Sequence, residues 1–155
     1  MSDVSIRTAQ VADFGELGEV FRRSSLANDG DRAMLLTTPE ALALNAASVR
    51  ERRTRAAVVD GRIVGFATVL GTGDALELED LFVDPNWMRR GIGLALVRDA
   101  AATARARGVL RIEVTANPHA LKFYEHAGFV PDGTADTRFG PAPRMRLDIV
   151  RTVGV

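Results

Sequence analysis

Between Ala75 and Thr115 the sequence changes its hydrophobic period twice, and no other stretch constrains the fold as much. Leu76 and Leu78 alternate with Glu77 and Glu79, which predicts a strand over 75–83. A short polar turn follows, and then two glycines, Gly91 and Gly93. Leu94, Val97, Ala101 and Ala104 next recur at helical spacing, predicting a helix from about 91 to 107 that Gly108 ends. Val109 to Thr115 reads as a second strand. Two strands joined through a crossover helix lie parallel, which puts the chain in the α/β class.

The flanking segments add antiparallel strands. Ala56–Val59 and Ile63–Leu70 flank Asp60-Gly61, a two-residue hairpin turn. Val4–Arg7 predicts a first strand. Asp13 is placed to cap a helix with Phe14, Leu17, Val20 and Phe21 on one face. Asn28-Asp29-Gly30-Asp31 reads as a turn, and Thr38-Pro39 as the start of a helix reaching about Arg53. Pro118 to Ala127 predicts a helix; Phe129–Ala135 and Arg144–Val150 predict strands, with 136–143 a loop between them. The expected architecture is a central mixed sheet of about six or seven strands flanked by about four helices, as a single domain over residues 1–155.

Composition removes several kinds of chemistry. The chain has no cysteine, so disulfides and thiolate catalysis are excluded, and two histidines cannot build a histidine-rich metal site. No metal is expected. Lys plus Arg equals Asp plus Glu at 20 each, which gives no sign of a nucleic-acid partner. No apolar run nears the ~20 residues that cross a bilayer. The first residues, Met1 to Ser5, carry no basic and apolar leader pattern. A cytoplasmic protein without a membrane partner is expected.

The turn before the predicted helix, Trp87-Met88-Arg89-Arg90-Gly91-Ile92-Gly93, carries the clearest chemistry. A helix start leaves about four N–H groups without intrahelical partners and bears partial positive charge. Glycine lets an anion approach that backbone closely, and Arg89 and Arg90 add formal charge. The same glycines also suit tight packing of a helix start. Two phosphate-loop patterns are absent. A Walker loop needs Lys-Ser or Lys-Thr after its last glycine, where Leu94-Ala95 stands. A dinucleotide loop needs a third glycine where Leu96 stands.

Downstream lies Asn117-Pro118-His119-Ala120-Leu121-Lys122-Phe123-Tyr124-Glu125-His126-Ala127-Gly128-Phe129. Taken together, the two segments resemble the GNAT superfamily of N-acetyltransferases. Val83-Asp84-Pro85 with Gly91-Ile92-Gly93 is similar to that family's cofactor loop. Asn117, Ala120, Phe123, Tyr124, Gly128 and Phe129 are similar to its second signature. The resemblance covers roughly residues 75–130. One departure stands out: Met88 occupies a position where the family usually has Gln or Arg.

The resemblance implies acetyl transfer from acetyl-CoA to an amine acceptor, without an acyl-enzyme. It implies that Arg89, Arg90, Gly91, Ile92, Gly93 and Leu94 hold the diphosphate through backbone amides. Leu81, Phe82 and Val83 would pair with the pantetheine arm, and Asn117, Phe123 and Tyr124 would complete the cofactor contacts. Tyr124 matches the residue that protonates the departing thiolate; its other reading is a core tyrosine. Glu77 and Glu79 share one strand face and are the candidate bases, with Glu113 a third; a solvated charged face is the alternative. A bulge in the cofactor strand, usual in the family, would decide which of them meets the cleft. Asn117 also reads as a helix cap. A homodimer is a further expectation from the resemblance. The rival readings are a non-catalytic acyl-CoA-binding module on the same scaffold and an unrelated nucleotide-binding α/β protein.

Overall fold

A computed structural model of the chain describes residues 3–27, 46–137 and 140–149. Among them are seven strands: β1 (Ser5–Thr8), β2 (Thr54–Val59), β3 (Arg62–Gly71), β4 (Ala75–Val83), β5 (Arg111–Thr115), β6 (Val130–Thr137) and β7 (Gly140–Asp148). The α-helices are α1 (Phe14–Leu26), α2 (Ala46–Arg50), α3 (Ile92–Arg107) and α4 (Leu121–His126). The strands hydrogen-bond in the order β1-β2-β3-β4-β5-β7-β6. β4 and β5 are parallel, while β1–β2, β2–β3, β5–β7 and β6–β7 are antiparallel. This is the mixed α/β architecture expected from the period changes.

Two compact units are present. One holds the described residues up to Thr68 together with Asp80–Leu96; the other holds Val69–Glu79 with the described residues from Val97 onward. In the first, Asp60 (φ 51°) and Gly61 (φ 76°) both take left-handed conformations, as a two-residue hairpin turn between β2 and β3 requires. Helix α1 presents Leu17, Val20 and Phe21 at i, i+3 and i+4, and all three are buried. They join Ala9, Val49, Ala56, Ile63 and Phe66 in one core, with Phe14, Val58 and Phe82 packed against it. Each large apolar side chain buried there contributes about 1.5–3 kcal/mol. Glu16 accepts the Ile63 N–H at 2.7 Å, and the Thr54 and Thr68 hydroxyls meet at 2.9 Å inside the sheet.

Asp13 does not cap α1 with its side chain. A short 3-10 turn, Val11–Asp13, precedes the helix, and the Asp13 carboxylate reaches back to the Gln10 N–H (2.8 Å) and to Arg7 (2.7 Å). The turn Asn28–Asp31 and the helix start at Thr38-Pro39 lie outside the described residues. Helix α2 ends at Arg50 rather than about Arg53. Arg52 turns left-handed at φ 61°, and the Arg53 N–H closes on the Ser48 carbonyl at 2.9 Å, satisfying the helix end.

The second unit builds its core on alternation. Leu76, Leu78, Ile112, Val114 and Met145 are buried, while Glu77, Arg111, Glu113, Thr115, Arg144 and Arg146 are half-buried. Along α3 the buried residues are Ile92, Leu96, Val97, Ala100 and Ala104; Leu94 and Ala101, expected to share that face, are half-buried. Gly108 ends the helix at φ 71°, with the Val109 N–H returning to the Ala104 carbonyl at 3.0 Å.

Strand β4 carries a bulge. The Thr72 N–H bonds the Ala75 carbonyl across the tight turn that joins β3 to β4. Counting back from that pair, Val64 would face Val83; its carbonyl instead accepts the Asp84 N–H at 2.8 Å. One extra residue is therefore accommodated in β4.

The last two strands differ most from expectation. The described residues of 136–143 lie in strands rather than in a loop: β6 runs to Thr137 and β7 starts at Gly140, paired as Thr137↔Gly140, Asp136↔Pro141, Ala135↔Ala142 and Thr134↔Pro143. Proline lacks an N–H and is disfavoured inside a sheet. Here the Pro143 carbonyl accepts from Ala116 N–H at 2.8 Å, so that residue's polar atoms face β5. Pro141 has the same parity. The β6 ladder therefore never needs the missing donors, and the β5 ladder starts at Arg144.

Candidate active site

The loop after β4 is built from its ends inward. Asp84, 5% exposed, accepts the Asn86 N–H at 3.0 Å and fixes the 3-10 turn Pro85–Trp87. Its other oxygen accepts from Arg23 of α1 at 2.8 Å (Nη2) and 3.2 Å (Nε). Beyond the turn, Arg89 (φ 63°) and Gly91 (φ 79°) are left-handed, while Arg90 between them is not. Residues of alternating hand turn successive N–H groups toward one side, the geometry of an anion cradle. The helical ladder begins with Ala95 N–H to Gly91 C=O at 3.0 Å, so Ile92, Gly93 and Leu94 have no intrahelical acceptor.

A Cβ built on Gly91 meets no heavy atom within 4 Å. The face of the loop at that glycine is open, and its residues fit a diphosphate. Met88, Arg89, Arg90 and Gly91 are exposed, while Ile92 is buried and anchors the helix start. The Arg90 guanidinium lies over the Trp87 ring at 4.7 Å. Helix α3 comes very near β3 at Gly65. A Cβ there would stand 2.9 Å from the Phe82 carbonyl oxygen and 3.1 Å from Ile92 Cγ2.

Leu81, Phe82 and Val83 are half-buried. The Phe82 ring packs edge-on against Phe21 at 4.8 Å and tilted against Phe66 at 5.5 Å, so its side chain belongs to the core. The parallel ladder between β4 and β5 spans Ala75↔Arg111 to Leu78↔Val114, and pairs no β5 residue with Leu81, Phe82 or Val83.

In the second unit, Tyr124 on α4 is 6% exposed, its ring set between Phe123 and Phe129, each at 5.2 Å. Burial pushes its hydroxyl pKa above the ordinary 10.0. Asn117 acts as the cap its sequence position suggests, accepting the His119 N–H at 3.0 Å. Glu79 is exposed. Glu77 is not an isolated carboxylate: its Oε2 accepts from Arg144 Nη1 at 2.7 Å. The same guanidinium reaches Thr115 Oγ1 at 3.0 Å and Glu113 Oε2 at 3.2 Å, and Arg111 Nε bonds Glu113 Oε1 at 2.9 Å. The bond to Glu77, with Coulombic help from Glu77 and Glu113, raises the Arg144 pKa.

Two of these partnerships were not visible in the sequence. Arg144 stands in a charged alternation, Arg144-Arg146-Asp148, whose register with β5 the pattern does not give. Arg23 is one of several exposed helix arginines, and nothing local marks it as the partner of Asp84. Among the described residues no group of acids and histidines could hold a metal ion, and no helix is long and apolar enough to cross a membrane.

Residues 19–129 match the family model described as the Acetyltransferase (GNAT) family. Glucosamine 6-phosphate N-acetyltransferase of Trypanosoma brucei brucei is 29% identical over 110 residues, covering 61% of this chain and 75% of that protein. An uncharacterized N-acetyltransferase of Mycobacterium bovis is 36% identical over 85 residues, 52% of this chain; the match spans about half of the relative, 54%. Among solved structures, PaiA N-acetyltransferase of Thermoplasma acidophilum, in complex with coenzyme A, superposes with a TM-score of 0.76 at 19% identity, over 94% of this chain and 99% of that one.

Proposed function

This chain belongs to the GNAT acetyltransferase family, and from that premise we propose that it transfers an acetyl group from acetyl-CoA to a primary amine. The observation that carries the reading is the cradle at Arg89–Gly91. Left-handed residues alternate there in front of a helix start, and the space over Gly91 is open. The backbone amides of Arg89 to Leu94 hold the diphosphate. Because they are main-chain donors, Met88 in place of Gln or Arg removes one side-chain contact and leaves the cradle intact. The edge of Leu81–Val83, beyond the β4–β5 ladder, is where an extended pantetheine arm pairs.

The thioester supplies the acetyl group. The amine nitrogen bonds to the carbonyl carbon and the carbon–sulfur bond breaks. The Tyr124 hydroxyl gives its proton to the departing sulfur. Its burial keeps that hydroxyl protonated throughout the neutral range. Glu77 takes the proton that the amine loses. Glu79 is the second candidate base, more exposed than Glu77. Asn117 and Phe123 contribute to the cofactor side.

The test is acetyl transfer from acetyl-CoA across a broad panel of primary amines, read by free thiol release, alongside calorimetric titration with CoA. Turnover with at least one amine and binding of CoA are expected. Binding without turnover on any amine would replace this reading with a non-catalytic acyl-CoA-binding module.

A further inference from the structure

Glu77 and Glu113 stand directly opposite one another in the parallel ladder. Facing carboxylates repel. One guanidinium separates them. Arg144 reaches across from β7, bonding Glu77 Oε2 and Thr115 Oγ1 through Nη1 and Glu113 Oε2 through Nη2. Glu77 Oε1 accepts no hydrogen bond among the described residues. The side chains of Arg144, Glu77 and Glu113 are 21%, 23% and 19% exposed, so their charges interact more strongly than on an open surface.

We propose that Arg144 is the positioning residue of the base. It fastens Glu77 Oε2 into the sheet and leaves Oε1 as the oxygen that receives the amine proton. The inference rests on Glu77 being the base. The charged groups around Glu77 are Arg144 from β7, Glu113 and Arg111 from β5, and Glu79 on its own strand. Asp132 of β6 acts on both arginines at longer range. The two nearest charges are opposite in sign. Losing the cation favours the protonated carboxylate; losing the neighbouring anion favours the ionised one.

The experiment uses the full chain labelled with ¹³C at glutamate carboxyls, with Glu77→Gln identifying the Glu77 signal. Its titration midpoint is followed by NMR without substrate. The acidic limb of the rate profile is recorded with acetyl-CoA and the fastest amine of the panel. Arg144→Gln should move the Glu77 midpoint and the acidic limb up together by about one pH unit. Glu113→Gln should move both down. Arg144→Lys should keep the midpoint near that of the native chain but lower kcat, because a point cation does not hold the carboxylate in one orientation. A merely structural Arg144 would lower thermal stability and leave the midpoint in place. Unmoved midpoints, or shifts of the same sign in both Gln variants, would overturn the inference while leaving the base reading standing. An acidic limb that survives Glu77→Gln would overturn the base reading itself, and the role of Arg144 with it. Should Arg144→Gln not fold, Arg144→Lys decides the matter: a native midpoint with a lowered kcat supports the role, and an unchanged kcat overturns it.

Discussion

At the scale of single residues, Tyr124 makes two separable predictions. As the proton donor, its replacement by Phe should lower kcat about 10²-fold with CoA affinity unchanged, read by steady-state kinetics beside calorimetry. An unchanged kcat, with chemistry shown to limit turnover, would end that role. The second prediction concerns stability. The folded pKa of Tyr124 is raised, so the native chain holds that proton more tightly than the unfolded one. The contribution is fully present below the ordinary value of 10.0 and is lost as pH rises above it toward the folded value. Denaturation at rising alkaline pH should show this loss in the native chain and not in Tyr124→Phe. Gly91 predicts differently. Its φ of 79° costs a side-chain-bearing residue about 1–2 kcal/mol, and a Cβ there would project into open space that the diphosphate is proposed to fill. Gly91→Ala should weaken CoA binding about tenfold or more. Identity alone pointed to Gly91 and Tyr124. The pairing of Glu77 with Arg144 it could not supply, because 67 positions separate them and only strand register brings them together.

At the scale of elements, the close approach of α3 to β3 is decided at Gly65. A methyl group there would sit 3.1 Å from Ile92 Cγ2 of α3 and 2.9 Å from the Phe82 backbone oxygen of β4, which cannot swing aside as a side-chain tip could. Gly65→Ala should cost about 1–3 kcal/mol of unfolding free energy, read from denaturant midpoints. A midpoint equal to that of the native chain would mean that both the helix start and the Phe82 carbonyl give way freely. The elements themselves were largely legible. Period changes marked β4, α3 and β5, and Asp60-Gly61 marked the β2–β3 hairpin. Boundaries were less so. Residues 136–143 read as a loop between the last strands; the sequence does not say which neighbour a given N–H would face, so it hides that Pro141 and Pro143 can sit in a strand. The helical face of α3 was misjudged because alanine and leucine are spread around it, so periodicity alone chose Leu94 where Ile92 and Leu96 are buried.

At the scale of the whole molecule, α/β class and strand sense followed from one inference, that a crossover helix makes its strands parallel. Recognition of the family then rested on two short segments, and the model match over residues 19–129 extends well beyond them. Ligand binding is also a property of the whole folded state. CoA at a hundred times its dissociation constant should stabilise the fold by about 2.7 kcal/mol. For a chain of this size that raises Tm by about 5–10 °C. ATP at the same concentration should raise it less. A larger shift with ATP would favour a nucleotide-binding protein of another kind.

Pro143 leaves the Ala116–Pro143 pair with a single bond, since its ring nitrogen has nothing to return. Pairing that spreads along two strands halts where a partner stops reciprocating, and here the halt is a covalent fact rather than a balance of weak forces. Warming, salt or a bound ligand cannot creep it forward. Exchanging both prolines for valine would remove the barrier, and amide exchange at Ala116 would then slow as the zipper gained a tooth.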